Sequence, residues 1–81
     1  MKILFFGSLG ERIGREMELD LPTDGCTVAE LRLRLAEALP DAARELGSPS
    51  LRACVDQVLA FEDTRVLPGR EVAFIPPLSG G

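Results

Sequence analysis

Three groups of residues in this sequence are of types that could do chemistry: the carboxylates Glu16, Glu18 and Asp20, the cysteines Cys26 and Cys54, and the closing Gly80-Gly81. The carboxylates recur at period two, a spacing that could pair them for acid/base work or around a divalent ion. No neighbouring residues supply a perturbing pocket, and the same spacing is that of a solvated strand face, which is how we read it. The cysteines are 28 residues apart and form no CxxC pair, and the 81 residues contain no histidine to complete a metal set. As a disulfide they would imply an oxidising compartment, which residues 1–15, lacking the pattern of a signal peptide, do not support. They are expected to be small, reduced hydrophobes. Lack of histidine also removes Ser-His and Cys-His nucleophile pairs, histidine bases and most zinc sites. Gly7, Gly10 and Gly14 are not followed by the GK[ST] of a phosphate loop. An autonomous enzyme is not expected.

The end of the chain remains: Pro76-Pro77-Leu78-Ser79-Gly80-Gly81. The strongly β-prone Glu71–Ile75 delivers the chain to a stiff Pro-Pro, and the six residues from Pro76 onward could project up to ~20 Å. Glycines without Cβ can thread a channel that any side chain would block. A terminal carboxylate, with a pKa near 3.5, is ionised and a poor electrophile. An activating enzyme could convert it to an acyl-adenylate, a mixed anhydride that a sulfur or nitrogen nucleophile displaces. The protein would then be a handle on a reactive end, with the catalytic groups supplied by partners.

Such a handle needs elements to hold it. Lys2–Phe6 is a continuous apolar run, expected to be a strand buried on both faces. A glycine-broken stretch with a helical loop around Leu9–Ile13 follows. Met17, Leu19 and Leu21 then alternate with the carboxylates in a second strand that makes a hairpin with the first. Pro22 to Cys26 reads as loop. Thr27 and Glu30 form a capping box, opening a helix whose stripe is Val28, Leu31, Leu35, Ala38 and Leu39 and which Pro40 ends. Leu33 falls off the stripe, so it either finds a second contact or is exposed. Asp41–Gly47 suits a short second helix. Leu51–Phe61 reads as strand, turn at Asp56-Gln57, and short strand; Pro68-Gly69 is a turn before the last strand. The order β-β-α-(α)-β-β-β implies an α+β fold, a mixed sheet packed on one main helix.

Composition bounds the rest. A chain of 8.8 kDa buries roughly 63% of its surface on folding, enough for one small core. We therefore expect one domain over residues 1–75 and a flexible tail over 76–81. A net charge of −4 argues against a nucleic-acid partner. No apolar run nears the ~20 residues of a membrane span, and a cytoplasmic location is expected.

Over essentially its whole length the chain resembles the ubiquitin-like β-grasp sulfur carriers, and among them the molybdopterin synthase small-subunit (MoaD) family. The resemblance is carried by KILFFGSLGERIG (Lys2–Gly14), TVAELR (Thr27–Arg32) and LPGREVAFIPPLSGG (Leu67–Gly81), the last being the most specific. It departs from the family pattern at Gly10-Glu11, where Arg-Glu is frequent, at Asp56, where Asn is frequent, and at Gly69-Arg70-Glu71, where Gly-Asp-Glu is frequent. These departures bear on the partner interface and leave the tail untouched.

The resemblance implies a cycle. An E1-like activating enzyme, using ATP with Mg, adenylates the carboxyl of Gly81; a sulfurtransferase or cysteine desulfurase supplies sulfur, leaving a thiocarboxylate. The tail enters the large subunit of molybdopterin synthase, within a heterotetramer, and donates sulfur to cyclic pyranopterin monophosphate. Gly81 is then the reacting residue and Gly80 gives clearance, and this chain itself holds no cofactor or metal. Partner contacts are expected along the tail and its root, at Leu59, Ile75, Pro76, Pro77, Leu78 and Ser79. Strand-end packing is the competing reading of the apolar ones. Two other functions stay open: a carrier for thiamine thiazole or cysteine synthesis, or a ubiquitin-like modifier of protein lysines. The insert Asp41–Gly47 favours the first reading over the shorter thiazole carriers. Lys2, the only lysine, leaves a chain-forming modifier almost no acceptor.

Overall fold

The computed structural model describes residues 1–77. Its strands are β1 (Lys2–Phe5), β2 (Glu16–Glu18), β3 (Cys26–Thr27), β4 (Arg52–Val55), β5 (Val58–Ala60), β6 (Arg65–Val66) and β7 (Glu71–Ile75). Helices α1 (Gly7–Ile13), α2 (Val28–Ala38) and α3 (Ala43–Leu46) intervene, with a 3-10 turn at Pro40–Ala42 before α3. Five strands form one sheet in the order β2-β1-β7-β4-β5, and β3 pairs with β6 beside it. β7 lies between β1, to which it is parallel, and β4, to which it is antiparallel. This is the expected α+β, β-grasp arrangement.

Helix α2 starts where its side chains require. Thr27 Oγ1 accepts from the Glu30 amide at 3.1 Å, and the Glu30 carboxylate accepts from the Thr27 amide at 2.8 Å. Val28, Leu31 and Leu35 are fully buried in the cluster that also holds Ile3, Val72 and Phe74. Burial of such side chains stabilises by about 1.5–3 kcal/mol each, and Phe5 stacks on Phe74 with ring centroids 6.1 Å apart. Ala38, expected on this stripe, is exposed at the last turn of the helix. Leu33 is 67% exposed, which answers the question its position raised.

Arg32 ties the layers together from inside the protein. It donates to the carbonyls of Leu46 (2.9 Å), Ser48 (3.2 Å) and Leu51, and its Nε lies 3.0 Å from the Glu62 carboxylate. Its guanidinium also sits 5.5 Å from the Phe74 ring centroid. One side chain thus satisfies the carbonyls at the end of α3 and at the entry to β4, which no strand or helix partner reaches.

Two expectations are corrected. β1 is not buried on both faces: Ile3 and Phe5 are buried, whereas Lys2 is exposed, Leu4 is half-buried and Phe6 is 49% exposed. Ile3 and Phe5 belong to the cluster with the α2 side chains, so the opposite face of the sheet stays open. Cys26, read as loop, instead begins β3 and pairs with Val66. A two-residue strand is too short to show any periodicity in sequence.

Candidate functional site

The position of β7 decides where the chain leaves the body. Phe6 N–H donates to the Phe74 carbonyl at 3.0 Å, extending the β1–β7 ladder to the strand's last residues, and Ile75 pairs with Arg52 on the other side. The strand end is therefore held on both flanks in the middle of the sheet. Just beyond it, Pro76 packs against Gly7. Gly7 has φ +64°, and a Cβ there would stand 2.8 Å from the Pro76 ring. Gly7 thus sets the direction of the tail root by its backbone conformation and by its lack of a side chain. The sequence signal, a glycine directly after the first strand, was legible only as a turn.

Around this root lies an open apolar face. Strand alternation puts Leu4, Phe6, Ala73, Ile75, Cys54 and Leu59 on the side of the sheet away from α2. Phe6 and Leu59 are each 49% exposed and Ile75 is 39% exposed. A shallow hollow of about 430 Å³ runs between Leu4, Phe6, Cys54, Ala73 and Ile75. Ile75 and Leu59 share this face but are not adjacent: Leu59 opposes Cys54, and Cys54 opposes Ala73, so β4 stands between them. Leu59 and Ile75 are therefore two strands apart, roughly 10 Å across the sheet. Cys54 lies between them on β4, Ala73 precedes Ile75 on β7, and Leu4 and Phe6 continue the face on β1; sequence reasoning selected none of the four. Their exposure depends on which face the helices cover, and no local pattern encodes that.

On the other flank of the root, Pro76 and Pro77 border a groove of about 190 Å³ with Leu9, Leu51, Arg12 and Glu45. The Arg12 guanidinium meets the Glu45 carboxylate there and donates to the Asp41 carbonyl at 3.3 Å. Pro76 is half-buried and Pro77 exposed. Leu78, Ser79, Gly80 and Gly81 lie outside the described residues.

The departures from the family pattern acquire internal explanations. Gly10 is buried in α1, and a Cβ there would run into the Phe5 carbonyl, so a larger residue is sterically excluded. Asp56 and Arg70 are partners: Arg70 Nη1 lies 2.9 Å from Asp56 Oδ2, while the Glu71 amide donates to Oδ1 at 3.1 Å. The Glu71 amide and then Arg70 hold the Asp56 carboxyl below its usual range. Asp56 and Gln57 both have positive φ, 49° and 71°, as a two-residue β4–β5 hairpin turn requires. Two of the departures are therefore one ion pair, fastening this turn to the start of β7.

The remaining chemical candidates do not converge. Glu16, Glu18 and Asp20 are exposed, and no group of three His, Cys, Asp or Glu able to hold a metal occurs among the described residues. Both cysteines are free thiols. Burial pushes the Cys26 thiol up, away from the reactive thiolate, and Cys54 is half-buried on the open face. Among the described residues, no helix is long and apolar enough to cross a membrane. This geometry is suited to docking a partner on the open face while presenting the chain end beside it.

Known proteins with this sequence pattern bear on that arrangement. The ThiS family matches residues 3–81. The molybdopterin synthase sulfur carrier subunit of Escherichia coli (strain K12) is 36% identical over 81 residues, covering all of this chain and 99% of its own. The protein of the same name from Dictyostelium discoideum is 32% identical, covering 99% of this chain and 94% of its own. Among solved structures, SAMP1 from Haloferax volcanii superimposes with a TM-score of 0.81 at 26% identity, over 99% of this chain and 97% of that one.

Proposed function

The chain belongs to the ThiS family, and from that premise we propose that it is a sulfur carrier of molybdenum cofactor biosynthesis, the small subunit of a molybdopterin synthase. The single observation that carries the reading is the junction at the end of β7. A centrally held strand, an apolar face and Pro76-Pro77, which in the sequence lead to Leu78-Ser79-Gly80-Gly81, meet at one end of the sheet. The names of the relatives in Escherichia coli and Dictyostelium discoideum support it.

In this mechanism residues 1–75 are the grip and residues 76–81 the working arm. The face of Leu4, Phe6, Cys54, Leu59, Ala73 and Ile75 docks on the synthase's large subunit, with Pro76, Pro77, Leu78 and Ser79 leading into its active site. In an E1-like enzyme, with Mg, the Gly81 carboxylate oxygen would attack the α-phosphorus of ATP; the bond to pyrophosphate breaks, pyrophosphate leaves, and an acyl-adenylate forms. Persulfide sulfur of a sulfurtransferase or cysteine desulfurase then attacks the acyl carbon and AMP leaves; a thiol reductant cleaves the S–S bond of the resulting acyl disulfide, and the thiocarboxylate so released gives its sulfur to cyclic pyranopterin monophosphate. Gly80 supplies clearance in the channel.

Deleting Gly81, or placing a bulky residue at Gly80, is expected to abolish sulfur transfer while leaving the thermal unfolding of the domain unchanged. Unchanged product formation by the Gly81 deletion would overturn the reading. Protein isolated with its activating system is expected to carry one oxygen-to-sulfur exchange that maps to the terminal peptide. Mapping is needed because oxidation of Met17 or a cysteine gives the same nominal mass. A second reading, conjugation to protein lysines, draws on the likeness to SAMP1, the small archaeal modifier protein 1 of Haloferax volcanii. Lysine-linked adducts that persist without the synthase's large subunit would favour it.

A further inference from the structure

We propose that Arg52 is the polar anchor of the open sheet face: its guanidinium takes a carboxylate of the large subunit, at the end of the face where β7 finishes. This rests on the carrier reading above and adds to it the partner's charge and the orientation in which the two proteins meet. Arg52 is exposed and alternates with the buried Leu51 and Ala53, so its side chain stands on the open side of the sheet. It pairs with Ile75, the last residue of β7. The β1–β7 register, continued by one residue, brings Phe6 level with Ile75. This end of the face therefore carries Phe6, Ile75 and Arg52 across three neighbouring strands.

The other end of the same face has the opposite character. About 13 Å along the strands, Lys2 stands in register between Glu18 and Glu71, and Glu16 opposes Leu4 on the outer strand. The single cation there is outnumbered by carboxylates. Arg52 has no such neighbour. Glu71 is four residues back along β7 from Ile75, and Glu16 is three strands across, about 14 Å away. Asp56, four residues further along β4, is held by Arg70 and the Glu71 amide. No ion pair among the described residues includes Arg52. The face is thus cationic where β7 ends and anionic where it begins.

A partner that covers Phe6, Ile75 and Cys54 also covers Arg52, whose backbone is one rung, about 5 Å, from that of Ile75. Taking a guanidinium out of water with no counter-charge opposes docking. A carboxylate that meets its planar fork through two N–H···O bonds offsets that cost, and a lysine's point charge does not reproduce the geometry. The acidic end then fixes the orientation. Docked the other way round, the partner's carboxylate would meet Glu18 and Glu71, and such like-charge contact is strongly disfavoured. The surface that fits is apolar at its centre, with a carboxylate opposite Arg52 and none opposite Glu18 and Glu71.

The test is titration calorimetry of the full chain against the synthase's large subunit, at low and at high salt, for wild type, Arg52→Glu, Arg52→Gln and Arg44→Glu. Arg44 is exposed on α3 in the helical layer, so Arg44→Glu makes the same charge change away from the face. At low salt Arg52→Glu is expected to bind about tenfold or more weaker than wild type, and Arg44→Glu within about twofold. High salt is expected to narrow the first difference. Arg52→Gln, which adds no carboxylate beside Ile75, reads the same loss should Arg52→Glu fail to fold, and thermal unfolding of each variant checks this. Changing the large subunit's surface carboxylates to lysine one at a time is expected to restore binding of Arg52→Glu at one position. Wild-type affinity for both Arg52 variants, equal weakening by Arg44→Glu, or rescue at no position would each overturn the proposal. Weakening by Ile75→Asp without weakening by the Arg52 variants would keep the docking face and reject Arg52 as its anchor. Failure of the carrier reading looks different: the wild type itself does not bind the large subunit, which removes the proposal with its premise.

Discussion

Arg32 and Gly7 show how single residues divide the work between holding the fold and aiming the tail. Arg32 is 7% exposed, and its removal takes the side-chain donor from the carbonyls of Leu46 and Leu51, while the Glu62 carboxylate, 58% exposed, stays solvated. Arg32→Met is expected to destabilise the domain by about 1–3 kcal/mol, the usual cost of leaving buried acceptors unsatisfied. Urea unfolding at neutral pH would show this as a lower midpoint with an unchanged slope. Gly7 acts differently. Gly7→Ala forces a left-handed alanine, at about 1–2 kcal/mol, and also pushes on Pro76. Gly14, with φ +103° and nothing within 4 Å of a built Cβ, is the matched control. Both variants are expected to lose stability, but only Gly7→Ala is expected to lose sulfur transfer beyond what its unfolded fraction explains. Equal transfer rates for folded Gly7→Ala and Gly14→Ala would remove the positioning role of Gly7.

At the scale of elements, two carboxylates make the ends of segments sensitive to acid. Glu30 closes the N-terminus of α2, and its carboxyl is held below its usual range by the Thr27 amide and then the Thr27 hydroxyl. Asp56 ties the β4–β5 turn to β7 and is lowered as described above. Both folded-state values are depressed, so their contributions are present above the unfolded values, near pH 4, and are lost as pH falls through the folded values. Asp56→Asn is therefore expected to flatten the acid limb of a stability-versus-pH curve while changing the plateau above pH ~5 in one direction only, downward. Thr27→Ala is expected to cost about 1 kcal/mol at neutral pH, read from thermal unfolding. The helix start was legible because capping is local: Thr27 and Glu30 are three residues apart. The turn at Asp56-Gln57 was legible for the same reason, whereas the Asp56–Arg70 pair was not, since it joins residues fourteen apart across β5 and β6.

The whole molecule, 81 residues, carries an apolar sheet face left uncovered beside the end of β7. Ile75→Asp and Leu59→Asp lie on that face and outside the core cluster, so each is expected to change stability by less than about 0.5 kcal/mol. Binding to the synthase's large subunit is expected to weaken by tenfold or more, because a charge would be desolvated in an apolar contact. Denaturant unfolding of each variant checks the first statement and titration calorimetry the second, and undiminished affinity would place the interface elsewhere. The sequence by itself determined the five main strands, the principal helix, the turns that join them and the Pro-Pro-led Gly-Gly end. Each of these is written in nearest neighbours, as alternation, capping or backbone restriction. Tertiary structure alone decided that β7 runs between β1 and β4, that β4 separates Leu59 from Ile75, and that Gly7 braces Pro76. Those relations join residues far apart in the chain. They are fixed by which face of the sheet the helices cover, and a one-dimensional pattern gives the period of a strand without saying which side will be dry.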